Sequence, residues 1–123
     1  MNDFKIWACN ILKSVLQARA PYDTGRLATQ GIWVENDGSA VYIGGAEVAP
    51  YAVYTNEPWK KGKNPNEGWI DKAINEATPI IKQALSGKIT REQYEETMRF
   101  YGEEHDKRLA HYEQFLAVRR DKI

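Results

Sequence analysis

The stretch Ala20-Pro21-Tyr22-Asp23-Thr24-Gly25-Arg26-Leu27 separates a segment of helical periodicity from one of strand periodicity, and it places the first break in the fold. Pro21 forces Ala20 out of the helical region, and Gly25 supplies the positive φ that a tight reversal needs. Asp23 and Thr24 carry short polar side chains of the kind that bond local backbone across such a reversal. A turn is predicted here, with Pro21, Asp23, Thr24, Gly25 and Arg26 as its structural residues.

Upstream of the turn, Phe4, Trp7, Ala8, Ile11, Val15 and Ala18 recur at three- and four-residue steps, which predicts an amphipathic helix over residues 2–19 with Asn2 as its cap. Downstream, residues 27–35 are rich in β-branched and aromatic side chains, and residues 40–44 repeat that character. The intervening Asn36-Asp37-Gly38-Ser39 predicts an antiparallel hairpin, which Gly44-Gly45 ends. After Pro50, residues 51–55 fit either a third short strand or one helical turn.

Residues 57–66 hold Pro58, Gly62, Pro65 and three lysines, the composition of a mobile loop with Trp59 at its base. Asn66 is a suitable N-cap for a second helix, in which Trp69, Ile70, Ala73, Ala77, Ile80, Ile81 and Ala84 keep helical spacing; Pro79 predicts a kink or a break. Thr90 and Gln93 form a capping box, and from there to Val118 the chain has no proline and only Gly102 as an interruption. A long helix or a kinked pair follows. Its apolar stripe of Tyr94, Met98, Tyr101, Leu109, Tyr112, Phe115 and Leu116 is narrow and faces a mixed-charge side, so the helix needs a partner to be stable. The chain thus reads as α+β, with a domain over residues 1–86 and a charged helical extension over residues 87–123.

Totals bound the function. A chain of 123 residues forms one domain that buries about two thirds of its unfolded surface. Zero formal net charge gives no global field to collect phosphates, which argues against nucleic acid as a main ligand, and no sequence-specific nucleic-acid partner is expected. Cys9 stands alone in a helical pattern and reads as a small core hydrophobe. No apolar run reaches membrane length and no signal-peptide layout opens the chain, so a soluble protein made inside the cell, with no membrane partner, is expected.

Several short matches carry no chemistry. Asp23-Thr24-Gly25 is the tripeptide of aspartic proteases, but those need an apolar strand before the aspartate and a small residue after the glycine, whereas a helix with Pro21 precedes it and Arg26 follows. His105 and His111 are six residues apart and point in different directions on a helix, so they bind no metal jointly and are expected to face solvent. Gly44-Gly45 lacks the Lys-Ser or Lys-Thr of a phosphate loop. Arg119, Arg120 and Lys122 form a small basic end that fits either contact with a phosphate or an acidic partner or, more simply, the complement of a helix C-terminal dipole. No nucleophile, base and oxyanion donor assemble, so the expectation is a non-enzymatic assembly protein with no cofactor and no metal.

Three motifs, in order, sharpen that expectation: Pro21 with Asp23-Thr24-Gly25-Arg26-Leu27, then Tyr51-Ala52-Val53-Tyr54, then Gly68-Trp69-Ile70-Asp71-Lys72-Ala73. Over roughly residues 1–85 the chain resembles the head-tail joining proteins of long-tailed bacteriophages, the neck or tail-completion subunits often called minor capsid proteins. It departs from their pattern at Thr55-Asn56-Glu57, where a Glu-Phe-Gly sequence is usual. The resemblance implies an N-terminal helix packed on a small antiparallel sheet, followed by a further helix. It also implies that copies close into a ring between head and tail, with adjoining head or tail proteins as partners. The expected location is the virion, and the bacterial cytoplasm during assembly. Tyr51, Tyr54, Trp59, Trp69, Tyr94, Tyr101, Tyr112 and Phe115 are the candidate interface residues. The alternatives are a small hydrolase of aspartic-protease type built on Asp23, or a regulatory module that binds a host protein.

Overall fold

The computed structural model describes residues 3–21, 26–35, 40–45 and 52–121. The predicted turn residues Asp23, Thr24 and Gly25, the interface candidate Tyr51 and the hairpin tip 36–39 lie outside the described residues.

Among the described residues five helices and two strands follow one another: α1 (Asp3–Arg19), α2 (Arg26–Thr29), β1 (Ile32–Val34), β2 (Val41–Ile43), α3 (Ala52–Asn56), α4 (Trp69–Leu85) and α5 (Arg91–Asp121). The chain is α+β, and the N-terminal helix packs on the sheet. Helix α1 is central, with α4 and α5 each packed along it and the hairpin against a further side. Contacts between Phe4 and Gly87 at one end and between Arg19 and Glu76 at the other make α4 antiparallel to α1. The pairs Asn10–Tyr94, Ser14–Met98 and Ala18–Arg108 make α5 parallel to it.

The core follows the predicted stripe of α1 and extends past it. Ile11, Val15, Leu16 and Leu27 are fully buried, each contributing about 1.5–3 kcal/mol of transfer free energy, and Ala73, Ala77 and Ala84 let α4 approach closely. Pro21 is buried beside them.

Two local expectations are corrected, and one alternative is decided. Residues 27–35 are not one strand: Leu27 and Ala28 sit in the short helix α2, buried against α1, and the Gly31 N–H closes that turn on the Leu27 carbonyl. An added Cβ at Gly31 would lie 2.9 Å from Leu27 backbone, so only glycine permits the chain to leave α2 straight into β1. Residues 52–56 form a helix. Helix α4 begins at Trp69 after Gly68 (φ 75°), and its first free N–H groups are met from a distance: Ile70 N donates to the side-chain oxygen of Asn56 at 2.9 Å. Asn66 therefore does not cap it by its side chain.

Pro79 neither breaks nor ends α4, which runs unbroken over 17 residues; the proline lies on the exposed face, where water can take the carbonyl that its missing N–H leaves. Ser86 and Gly87 (φ 72°) then reverse the chain, and the capping box of α5 is complete: Gln93 N donates to Thr90 Oγ1 at 3.1 Å, and Thr90 N to Gln93 Oε1 at 2.9 Å.

Sheet register is Ile32↔Ile43, Trp33↔Tyr42 and Val34↔Val41, and Glu35 N to Ala40 O and Gly44 N to Gly31 O extend the ladder at both ends. Ile32, Val34, Val41 and Ile43 face α1, while Trp33 and Tyr42 face out.

Candidate assembly surfaces

The hairpin presents an aromatic outer face. Trp33 and Tyr42 are directly opposite in the ladder, and their rings stack at 5.5 Å with planes 21° apart, although each is more than a third exposed. Beside them, Gly45 (φ 82°) keeps its backbone under the Trp33 ring, where a Cβ would come within 3.1 Å. Two strands alone are marginal. Among the described residues neither outer strand edge is paired with a further strand.

A second aromatic surface is held by a polar network. Asn64 is buried; its Nδ2 donates to the carbonyls of Thr55 (2.8 Å) and Glu57 (2.7 Å), and its Oδ1 accepts from Asn66 N (2.9 Å). Thr55 Oγ1 accepts from Trp69 Nε1 at 2.9 Å, and Asn56 O accepts from Gly68 N at 2.8 Å. The loop of residues 57–66, expected to be mobile, and the two residues that lead from it into α4 are thereby pinned at both ends. It carries Trp59, stacked on Tyr54 at 6.2 Å with planes 15° apart, both rings exposed.

The interface candidates separate accordingly. Tyr54 and Trp59 are on the surface, whereas Trp69 and Tyr101 are only 6% exposed and belong to the core. Tyr94 stacks on Trp7 of α1 (4.7 Å, 10°) and its hydroxyl accepts from Asn10 Nδ2. Tyr112 is half-buried, and the side chain of Phe115 lies outside the described ones. The first half of α5 therefore packs in cis and finds on α1 the partner that its narrow stripe needs. His105 is half-buried, with Nδ1 at 3.2 Å from the Gln17 carbonyl, rather than solvent-facing, while His111 is exposed. Arg108 donates to the carbonyls of Ala18 and Ala20, so α5 closes the C-terminal end of α1 immediately before the Pro21 turn.

Trp33 and Tyr42 were not singled out from the sequence. Their signal was present: each is the one aromatic between two β-branched residues, and thus on the opposite face from them.

The strongest electrostatic cluster joins the three long helices. Arg19 makes a bidentate pair with Glu76 (both 3.0 Å), Tyr101 donates to the same carboxylate at 2.7 Å, and the guanidinium lies over the Tyr101 ring at 5.8 Å. The hydrogen bond from Arg19 holds the Glu76 carboxyl below its usual range, and burial pushes the Tyr101 phenol up to about 12. This is a lock between helices; all its members are consumed by one another. Among the described residues no three His, Cys, Asp or Glu side chains converge to hold a metal, and no helix is long and apolar enough to cross a membrane.

Comparison with known protein families, with curated proteins and with solved structures gives no match.

Proposed function

We propose that the chain is a structural component of a tailed phage or prophage particle that forms or completes the head-tail connector by ring assembly, and that it catalyses no reaction. The hairpin carries this reading: a two-stranded sheet with no further described strand on either edge and a stacked, exposed Trp33–Tyr42 pair is a poor end-point for a monomer and a good joint between copies. The ordered motifs at residues 21–27, 51–54 and 68–73 direct that joint to the neck of a phage. In such a ring one face of each subunit meets a different face of the next, and the rotation closes. Adjoining head or tail proteins then bind its two rims, in the virion and, during assembly, in the host cytoplasm.

The far end of α5 supports the same reading. After Arg108 has met the end of α1, residues 109–121 continue as helix for about 20 Å. That length suits contact with a neighbouring subunit or an adjoining neck protein.

Native mass spectrometry of the full chain, with the exposed pair altered in Trp33→Ser/Tyr42→Ser, tests the joint. One closed oligomer for the wild type and monomer for the variant are expected. A wild type that stays monomeric at high concentration would contradict ring closure.

A further inference from the structure

The geometry points to a second, separate activity: the loop of residues 57–68 is a binding site for single-stranded polynucleotide, taken through unpaired bases and phosphates without sequence preference. Tyr54 is 59% exposed and Trp59 38%, and their near-parallel rings, stacked on each other, form an exposed aromatic platform that contributes little to the core. Lys60, Lys61 and Lys63 follow directly, all exposed, and no ion pair joins them to a described residue. Three cations within four residues beside an exposed aromatic platform is the combination that holds a single strand, where bases stack and the adjoining phosphates meet ammonium groups.

The loop is built to present these groups. Asn64, a buried residue of the loop itself, donates from its amide to the carbonyls of Thr55 in α3 and Glu57 in the loop and accepts from Asn66 N, so the platform is ordered before a ligand arrives. An exposed aromatic platform favours a base over the carboxylates of an acidic peptide, which offer charge but no broad π-face. A duplex hides its base faces within its own stack. With zero net charge over the chain the attraction is local, so binding is strongest at low salt. The site is independent of the ring joint, which uses the other aromatic face.

Fluorescence anisotropy of a labelled oligothymidylate with the full-length protein at low salt is the test. Binding is expected with a slope of log K against log salt of about −2 for three phosphate contacts. Trp59→Ala should weaken it about tenfold, and Lys60→Gln/Lys61→Gln/Lys63→Gln should flatten the slope toward zero, both with unchanged thermal unfolding because the altered side chains are exposed. A duplex of the same length and a polyglutamate peptide should compete poorly. Absence of binding at low salt, indifference to both variants, or equal competition by the duplex or the acidic peptide would overturn the assignment.

Discussion

The hydroxyl of Tyr101 donates to Oε2 of Glu76 at 2.7 Å, and because Arg19 grips the same carboxylate from α1, one side chain of α4 ties together all three long helices. Tyr101→Phe removes one hydrogen bond to a charged acceptor and should cost about 1–2 kcal/mol. Glu76→Ala strands Arg19 and Tyr101 at once and should cost more. Chemical denaturation of the two variants and their double mutant measures the coupling, and strict additivity would show that the contact has no energetic meaning.

The same lock makes stability depend on pH. Glu76 has a folded-state value below its unfolded one, chiefly through the hydrogen bond from Arg19, so its contribution is present above the ordinary carboxylate value and is lost as pH falls through the lowered one. Tyr101 is raised to about 12, chiefly by burial, so its contribution is present below the ordinary phenol value and is lost as pH rises toward about 12. Denaturation midpoints of the wild type should therefore decline in acid more steeply than those of Glu76→Gln. Equal acid slopes would contradict the assignment.

Asn64→Ala leaves the carbonyls of Thr55 and Glu57 without their donor and should cost about 1–3 kcal/mol, with faster amide exchange at Asn66, whose N–H it releases. Exchange measured by mass spectrometry checks this; unchanged protection over the loop would mean that the network does not pin it.

Shortening α5 at two points separates its halves. Ending the chain after Arg108 keeps Tyr94, Met98 and Tyr101 on the body and the clamp on the Ala18 and Ala20 carbonyls, so cooperative unfolding should persist. Removal of residues 87–123 strips those contacts and should abolish the sharp thermal transition. Two equally sharp transitions would show that α5 adds nothing to the core.

How much of this was legible in the residues varied with how local the cause was. Spacing within α1 and α4, the Asn36-to-Ser39 hairpin connection and the Thr90–Gln93 box are neighbours in sequence, and the helices, antiparallel strands and capping bonds stand where those signals predicted. Residues 27–31 misled because β-propensity yielded to burial of Leu27 and Ala28 on α1. The start of α4 depends on Asn56, fourteen residues upstream of Ile70, which no local pattern reveals. The docking of α5 was hidden because α1 receives it through Asn10 and Ser14 as well as Trp7, and a search for apolar periodicity passes over polar contacts. Of the interface candidates, Tyr54 and Trp59 are available on the surface, while Trp69 and Tyr101 are aromatic for the sake of the core.

The connector role is tested most directly by deleting the gene from a phage or prophage that carries it and imaging the induced lysate by electron microscopy. The expected result is filled heads and finished tails lying apart, rejoined when the wild-type chain is supplied in trans but not when Trp33→Ser/Tyr42→Ser is supplied. Intact, infectious tailed particles in the absence of the chain would contradict it.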